Sequence, residues 1–177
     1  PDNRIHTTLA KQLALMVVIY SPLQMAADLI ENYQGHSVFQ FIRDVPADWD
    51  DTKVLNGKIG DYVTIARKKK DAWYIGSITD EQAREFTFKL DFLEEKLNFE
   101  AVIYADGPAA DWLTNPMDYV IEKKLVKKDD ALVVKLAAGG GREPVHGGAS
   151  HAPSHASATI STMPGSTRLP NARPPMV

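Results

Sequence analysis

The 177-residue chain contains no cysteine, which rules out a disulfide framework and a zinc site built on thiolates. It has no marked excess of either charge. Twenty Lys and Arg stand against 23 Asp and Glu, a net charge of −3, so the basic stripe expected of a nucleic-acid binder is missing. Long apolar runs are also missing. The longest, Leu13 to Tyr20, is far below the roughly 20 residues that a membrane-spanning helix needs. The chain opens on Pro1, with no basic region and apolar core of an export signal; the expectation is an internal start, any such signal lying upstream. A Gly-rich phosphate loop, a nucleophile elbow and an HExxH pair are absent too. What is present is the ordinary balance of a globular protein, 44% apolar and 24% charged residues.

Composition divides the chain into three parts. In residues 1–50, Thr7 and Thr8 offer N-caps to a helix whose Leu9, Leu13, Met16, Val17 and Tyr20 share a face, ended by Ser21-Pro22. Leu23 to Leu29 reads as a buried strand. Val38 to Ile42 reads as a second helix, stopped before Pro46. Helix, buried strand, loop and helix in that order match the end of a parallel α/β sheet or (β/α)8 barrel. In residues 51–141 the period becomes two. Phe86, Phe88, Leu90 and Phe92 alternate with polar residues, as do Phe99, Ala101, Ile103 and Ala105, and again Leu132, Val134 and Leu136. Further strands are expected at 53–55, 62–67, 73–78 and 119–126, with turns at Asn56-Gly57, Lys70-Asp71, Asp106-Gly107-Pro108, Asn115-Pro116 and Asp129-Asp130. Seven short antiparallel strands predict a β-sandwich. Residues 142–177 are rich in Gly, Pro, Ser, Ala and His and poor in large apolar residues, so a disordered tail is expected there.

Several stretches taken together resemble one family. Thr7 to Leu15, Val17 to Leu29, Glu31 to Tyr33, Phe39 to Ile42, Val45 to Trp49 and Asp51 to Gly57 are similar to the last barrel helix and strand of glycoside hydrolase family 97 and to the segment that leads out of its barrel. The likeness resumes at Ile59 to Arg67, Trp73 to Gly76, Ile78 to Glu81, Ala101 to Gly107 and Leu136 to Gly141. It covers about residues 4–141 in order. The resemblance implies residues 1–50 as the remnant of a catalytic barrel and 51–141 as the C-terminal β-sandwich, an oligomerisation domain. It implies a full-length α-glucosidase or α-galactosidase acting on α-linked oligosaccharides, periplasmic or secreted, with calcium near its catalytic carboxylates. Both retaining and inverting members exist. Two departures stand out: Ile30 replaces a usual proline, and the tail from Arg142 replaces a short apolar strand.

Under that resemblance the catalytic acids belong to earlier barrel strands, so no catalytic residue and no metal or cofactor is expected in this chain. Asp28 and Glu31 fall at the C-terminal end of the expected barrel strand, where they would line the rim of a sugar pocket; a loop cap and a solvated side chain are the plainer readings. Trp112, in a Pro/Gly/Asp-bounded loop, is the candidate for stacking on a sugar ring, while Trp49 and Trp73 suit packing. His146, His151 and His155 are scattered in the tail, and Lys68 to Lys70 form a solvated hairpin tip. The expected partners are the missing N-terminal and barrel domains and a second copy of the sandwich. A free-standing carbohydrate-binding or interaction module is the alternative; it would have no reason to keep the helix of residues 1–50. That helix is expected to lack a covering surface here, so the chain should associate more readily than one starting near Asp51.

Overall fold

The structure is a computed structural model that describes residues 5–25, 29–95, 97–139 and 158–164, the last stretch by its backbone alone. The chain is mainly antiparallel β, as the alternation of residues 51–141 requires. Seven strands follow one another: β1 (Asp51–Lys58), β2 (Tyr62–Lys69), β3 (Ala72–Thr79), β4 (Arg84–Lys89), β5 (Asn98–Asp106), β6 (Tyr119–Lys127) and β7 (Ala131–Leu136). An eighth, β8, spans Ala158–Pro164. The larger sheet has the order β1-β2-β3-β8-β5-β6, and β4 pairs with β7 in a second sheet.

The period of two decides the layers. Trp73 and Ile75 of β3 and Phe99, Ala101 and Ile103 of β5 point to one side, where they meet Leu90, Leu132 and Leu136 around the second sheet. Tyr74 and Tyr104, one residue out of step, point to the other side. There they meet Leu13 and Val17 of helix α1 (Leu9–Val18) and Phe41 of helix α3 (Phe39–Asp44). A one-turn helix, α2 (Ile30–Tyr33), lies between these two in sequence.

Three expectations are corrected. The described residues of the stretch Leu23 to Leu29 form no buried strand: Leu23, Met25 and Leu29 are 72%, 79% and 70% exposed. A buried strand needs neighbours that take up its backbone groups, and among the described residues no strand pairs with this stretch. Instead Ser21 Oγ closes a local turn, accepting from Leu23 N at 3.3 Å and donating to Leu23 O at 2.7 Å. The apolar face of α1, expected to be uncovered, is seated on the larger sheet, with Leu9, Ala10, Leu13, Ala14 and Val17 buried. Removing it would bare Tyr74 and Tyr104. Tyr20 leaves that face and is 57% exposed. The third correction concerns the tail: Ala158–Pro164 is a strand, paired on both sides. The rest of residues 142–177, with the three histidines, lies outside the described residues.

Candidate functional site

The residues singled out in sequence do not converge. Asp28 lies outside the described residues. Glu31 is exposed on α2. Trp112 sits half-buried on the loop between β5 and β6, its ring tilted against His6 at 5.4 Å between centroids. That loop is tightly made. Asp118 accepts from Ala109 N at 2.8 Å, and Asp111 accepts from Leu113 N at 3.0 Å and Thr114 N at 2.7 Å. Pro116 O receives Leu9 N at 2.9 Å, which fixes the loop to the start of α1. Trp49 packs edge-on against Tyr74 at 5.3 Å, and Trp73 is buried in the core.

What the fold does bring together is the seat of α1. At its N-terminus Thr8 Oγ1 accepts from Lys11 N at 3.3 Å, the cap expected of a Thr there. At its C-terminus sequence reasoning missed the key residue, Arg67 on β2. This side chain is only 8% exposed. Its Nε donates to Val17 O at 2.6 Å, Nη2 to Val18 O at 3.1 Å and Nη1 to Thr52 Oγ1 at 3.0 Å. The rings of Tyr20 and Trp49 flank the guanidinium, each 5.8 Å away. A cation at a helix C-terminus meets the carbonyls that lack intrahelical partners and the negative end of the helix dipole. Burial lowers the Arg67 pKa, with Tyr20 acting in the opposite direction. Only the apolar tilt of β2 around an Arg could have signalled this in sequence.

Lys11 holds the other side of the helix. Its Nζ donates to Thr79 O at 2.6 Å and to Gly139 O. Desolvation lowers its pKa, against the pull of Asp80, Asp106 and Glu81. Beside it lies an open hollow of about 600 Å³, lined in part by Val54, Ile59, Tyr62 and Asp80. Neither Glu31 nor Trp112 lines it.

The carboxylates near this hollow are engaged in ion pairs. Arg84 binds Asp80 with both nitrogens, and its Nη2 lies 3.7 Å from Asp61, which also meets Lys58 at 2.6 Å. The hydrogen bond from Arg84 holds the Asp80 carboxyl below its ordinary value, helped by Gln82 N and opposed by desolvation. A general acid for glycoside cleavage needs the opposite shift. The linkage has a definite sign. A carboxyl depressed in the folded state contributes stability above its unfolded pKa, and that stability is lost as pH falls through the folded one. The melting temperature should therefore fall as the pH drops below about 4, and Asp80→Asn should flatten that dependence; equal acid slopes in both proteins would contradict it. Among the described residues no group of three or more His, Asp or Glu could hold a metal ion.

A helix-backed antiparallel sheet over a smaller sheet makes this a mainly β domain. Comparison with known proteins gives the family. Residues 48–143 match the profile described as "Glycosyl-hydrolase 97 C-terminal, oligomerisation", and the chain belongs to glycoside hydrolase family 97. It is 42% identical over 135 residues to a retaining alpha-galactosidase of Bacteroides thetaiotaomicron, covering 76% of this chain and 20% of that protein. A probable retaining alpha-galactosidase of Streptomyces bingchenggensis is 30% identical over 133 residues, covering 75% and 19% respectively. A solved family 97 enzyme of Pseudoalteromonas sp., in complex with acarbose, superposes with a TM-score of 0.78 at 45% identity, over 92% of this chain and 23% of the other. The chain thus spans about a fifth of the length of these relatives.

Proposed function

We propose that this chain serves as the C-terminal structural and self-association part of an α-glycosidase that hydrolyses α-galactosides or α-glucosides as the full-length protein. The observation that carries the reading is the match of residues 48–143 to the C-terminal oligomerisation domain of the family. A second observation supports an attached remainder. Ile19, Tyr20, Leu23, Met25, Leu29 and Ile30 are all more than half exposed. They cluster in sequence where α1 gives way to residues expected at the end of a barrel. Single exposed apolar residues are normal on a protein surface, but a run of six invites cover. We assign that cover to the barrel of the full-length enzyme. The catalytic carboxylates, the calcium and the α-linked oligosaccharide belong to the same part of the proposal, as does a periplasmic or secreted location. Among the described residues no helix is long and apolar enough to cross a membrane.

Two measurements test the reading. Purified chain should release no p-nitrophenol from p-nitrophenyl α-galactoside or α-glucoside above a buffer control, because two carboxyl groups placed across the scissile bond are required. Turnover would overturn the structural role. Sedimentation velocity should show a concentration-dependent dimer or larger species. A clean monomer at every concentration would remove self-association.

A further inference from the structure

The strand β8 occupies an unusual place. It lies beyond the family-matched residues 48–143, yet it sits in the middle of the larger sheet. On one side Trp73, Tyr74, Ile75 and Gly76 of β3 stand opposite Thr162, Ser161, Ile160 and Thr159. On the other, the seven residues from Phe99 to Ala105 of β5 stand opposite Pro164 back to Ala158. Both pairings are antiparallel, so β3 and β5 never bond to each other. Without β8 the sheet would hold two unpaired edges one strand-width apart, a gap of roughly 10 Å between them. Unpaired edges of that kind are templates for an extended segment.

The walls of this gap do not depend on β8. Trp73 and Ile75 are joined to Phe99, Ala101 and Ile103 through Leu90, Leu93, Leu132 and Leu136. On the opposite face α1 and α3 join Tyr74 to Tyr104. The two halves of the sheet are therefore held apart at a fixed spacing by packing from both sides. The segment that fills the gap carries no charge, and its Thr159, Ile160 and Thr162 are β-branched. Such residues favour the extended state and suit a central position. Pro164, which lacks an N–H, falls at the end of the strand, where that loss is tolerated. Residues 140–157, eighteen in number, join Gly139 to Ala158.

We propose that the space between β3 and β5 is a strand-acceptor site, and that its occupant is this chain's own segment Ala158–Pro164, bound as an uncharged, β-branched peptide ligand. Recognition is by main-chain pairing on two sides, in a register that places Ile160 opposite both Ile75 and Ile103. Strand addition of this kind draws its affinity from the backbone and its specificity from alternate side-chain positions. The site is independent of the glycosidase reading and stands or falls on the sheet alone.

Hydrogen exchange on the full chain, read by mass spectrometry, tests the first half. Amides of residues 158–164 should exchange at least about tenfold more slowly than in a free peptide of the same sequence. The full-length variant Ile160→Pro tests the second half, since proline removes an N–H and its ring clashes in a central strand. That variant should exchange faster along β3 and β5. It should also bind a fluorescent peptide spanning residues 156–166 at least about tenfold more tightly than the unaltered chain, whose site is filled. Exchange of 158–164 at the free-peptide rate would overturn the proposal, and so would equal peptide binding by both chains. Protection that appears only where the chain is dimeric would assign the strand to a second copy and overturn the stated occupant. If Ile160→Pro does not fold, the exchange measurement on the unaltered chain decides alone.

Discussion

Gly76→Val should lower the melting temperature by about 6–12 °C, the shift that roughly 3 kcal/mol produces in a chain of this size. The reason is the closeness of α1 to the sheet. A Cβ at Gly76 would stand 2.8 Å from Ala14 O, 2.9 Å from Val17 Cβ and 3.0 Å from Val18 Cγ2. The first of these is backbone, so no side-chain rotation relieves it. Either α1 lifts, or β3 sinks into the core around Trp73 and Ile75. Overpacking of a well-filled contact typically costs about 1–3 kcal/mol, and a β-branched side chain belongs at the upper end. Gly76→Ala should show a smaller fall of the same sign. The measurement is thermal unfolding by circular dichroism. A Gly76→Val protein that melts within about 2 °C of the original, an allowance of about half a kcal/mol, would mean that the helix is not seated where the structure has it.

Arg67→Met should cost a comparable amount, about 2–4 kcal/mol, although it creates no clash. Methionine keeps most of the aliphatic length between Tyr20 and Trp49. What it removes is the donor set for Val17 O, Val18 O and Thr52 Oγ1. The two carbonyls end α1, and without Arg67 they lose the cation that faces the helix dipole. Lysine at this position should recover only part of the loss, since an ammonium cannot reproduce the planar fork that meets three acceptors at once. Urea unfolding of the Met and Lys variants is the check. Equal stability of the two would show that the fork contributes nothing, and no loss in either would mean that Arg67 does not hold the helix.

The strands were legible because their physics is local. Alternation at Phe86 to Leu90, Phe99 to Ala105 and Leu132 to Leu136 follows from a sheet with one side buried, and the structure has β4, β5 and β7 there. Turns at Lys70 and Asp129 carry φ of 53° and 67°, in the left-handed region that the polar pairs there tolerate. The turn expected at Asn56-Gly57 falls later, at Gly60 with φ 87°, because β1 runs on through a register shift between Val54 and Asn56. The seat of α1 was not legible. Its partner Gly76 is some sixty positions away, and a glycine within a strand does not announce which backbone approaches it. The same holds for Arg67, which reads only as the end of the expected strand 62–67, beside the solvated Lys68 to Lys70, until β2 is placed under the helix. Leu23 to Leu29 misled for a related reason: an apolar run does not say what covers it, and its described residues Leu23, Met25 and Leu29 stand exposed. The run from Ala158 to Pro164 was masked by the composition around it, since seven residues carry little weight in a window of thirty-six. Glu31 lies exposed on α2, and Trp112 half-buried with its ring against His6.

The central position of β8 has a consequence for how the chain is made. A ribosome delivers β3 and β5 long before residue 158 emerges. Until then the nascent sheet consists of two separate parts, the three strands β1-β2-β3 and the pair β5-β6, each with an open inner edge. The contacts that close it are long in sequence, from β3 to β8 across more than eighty positions. High contact order of this kind slows folding. The waiting period is spent with apolar, unpaired strands exposed. The order of synthesis therefore makes β8 the latch of the sheet, and folding can finish only after residues 158–164 have left the ribosome.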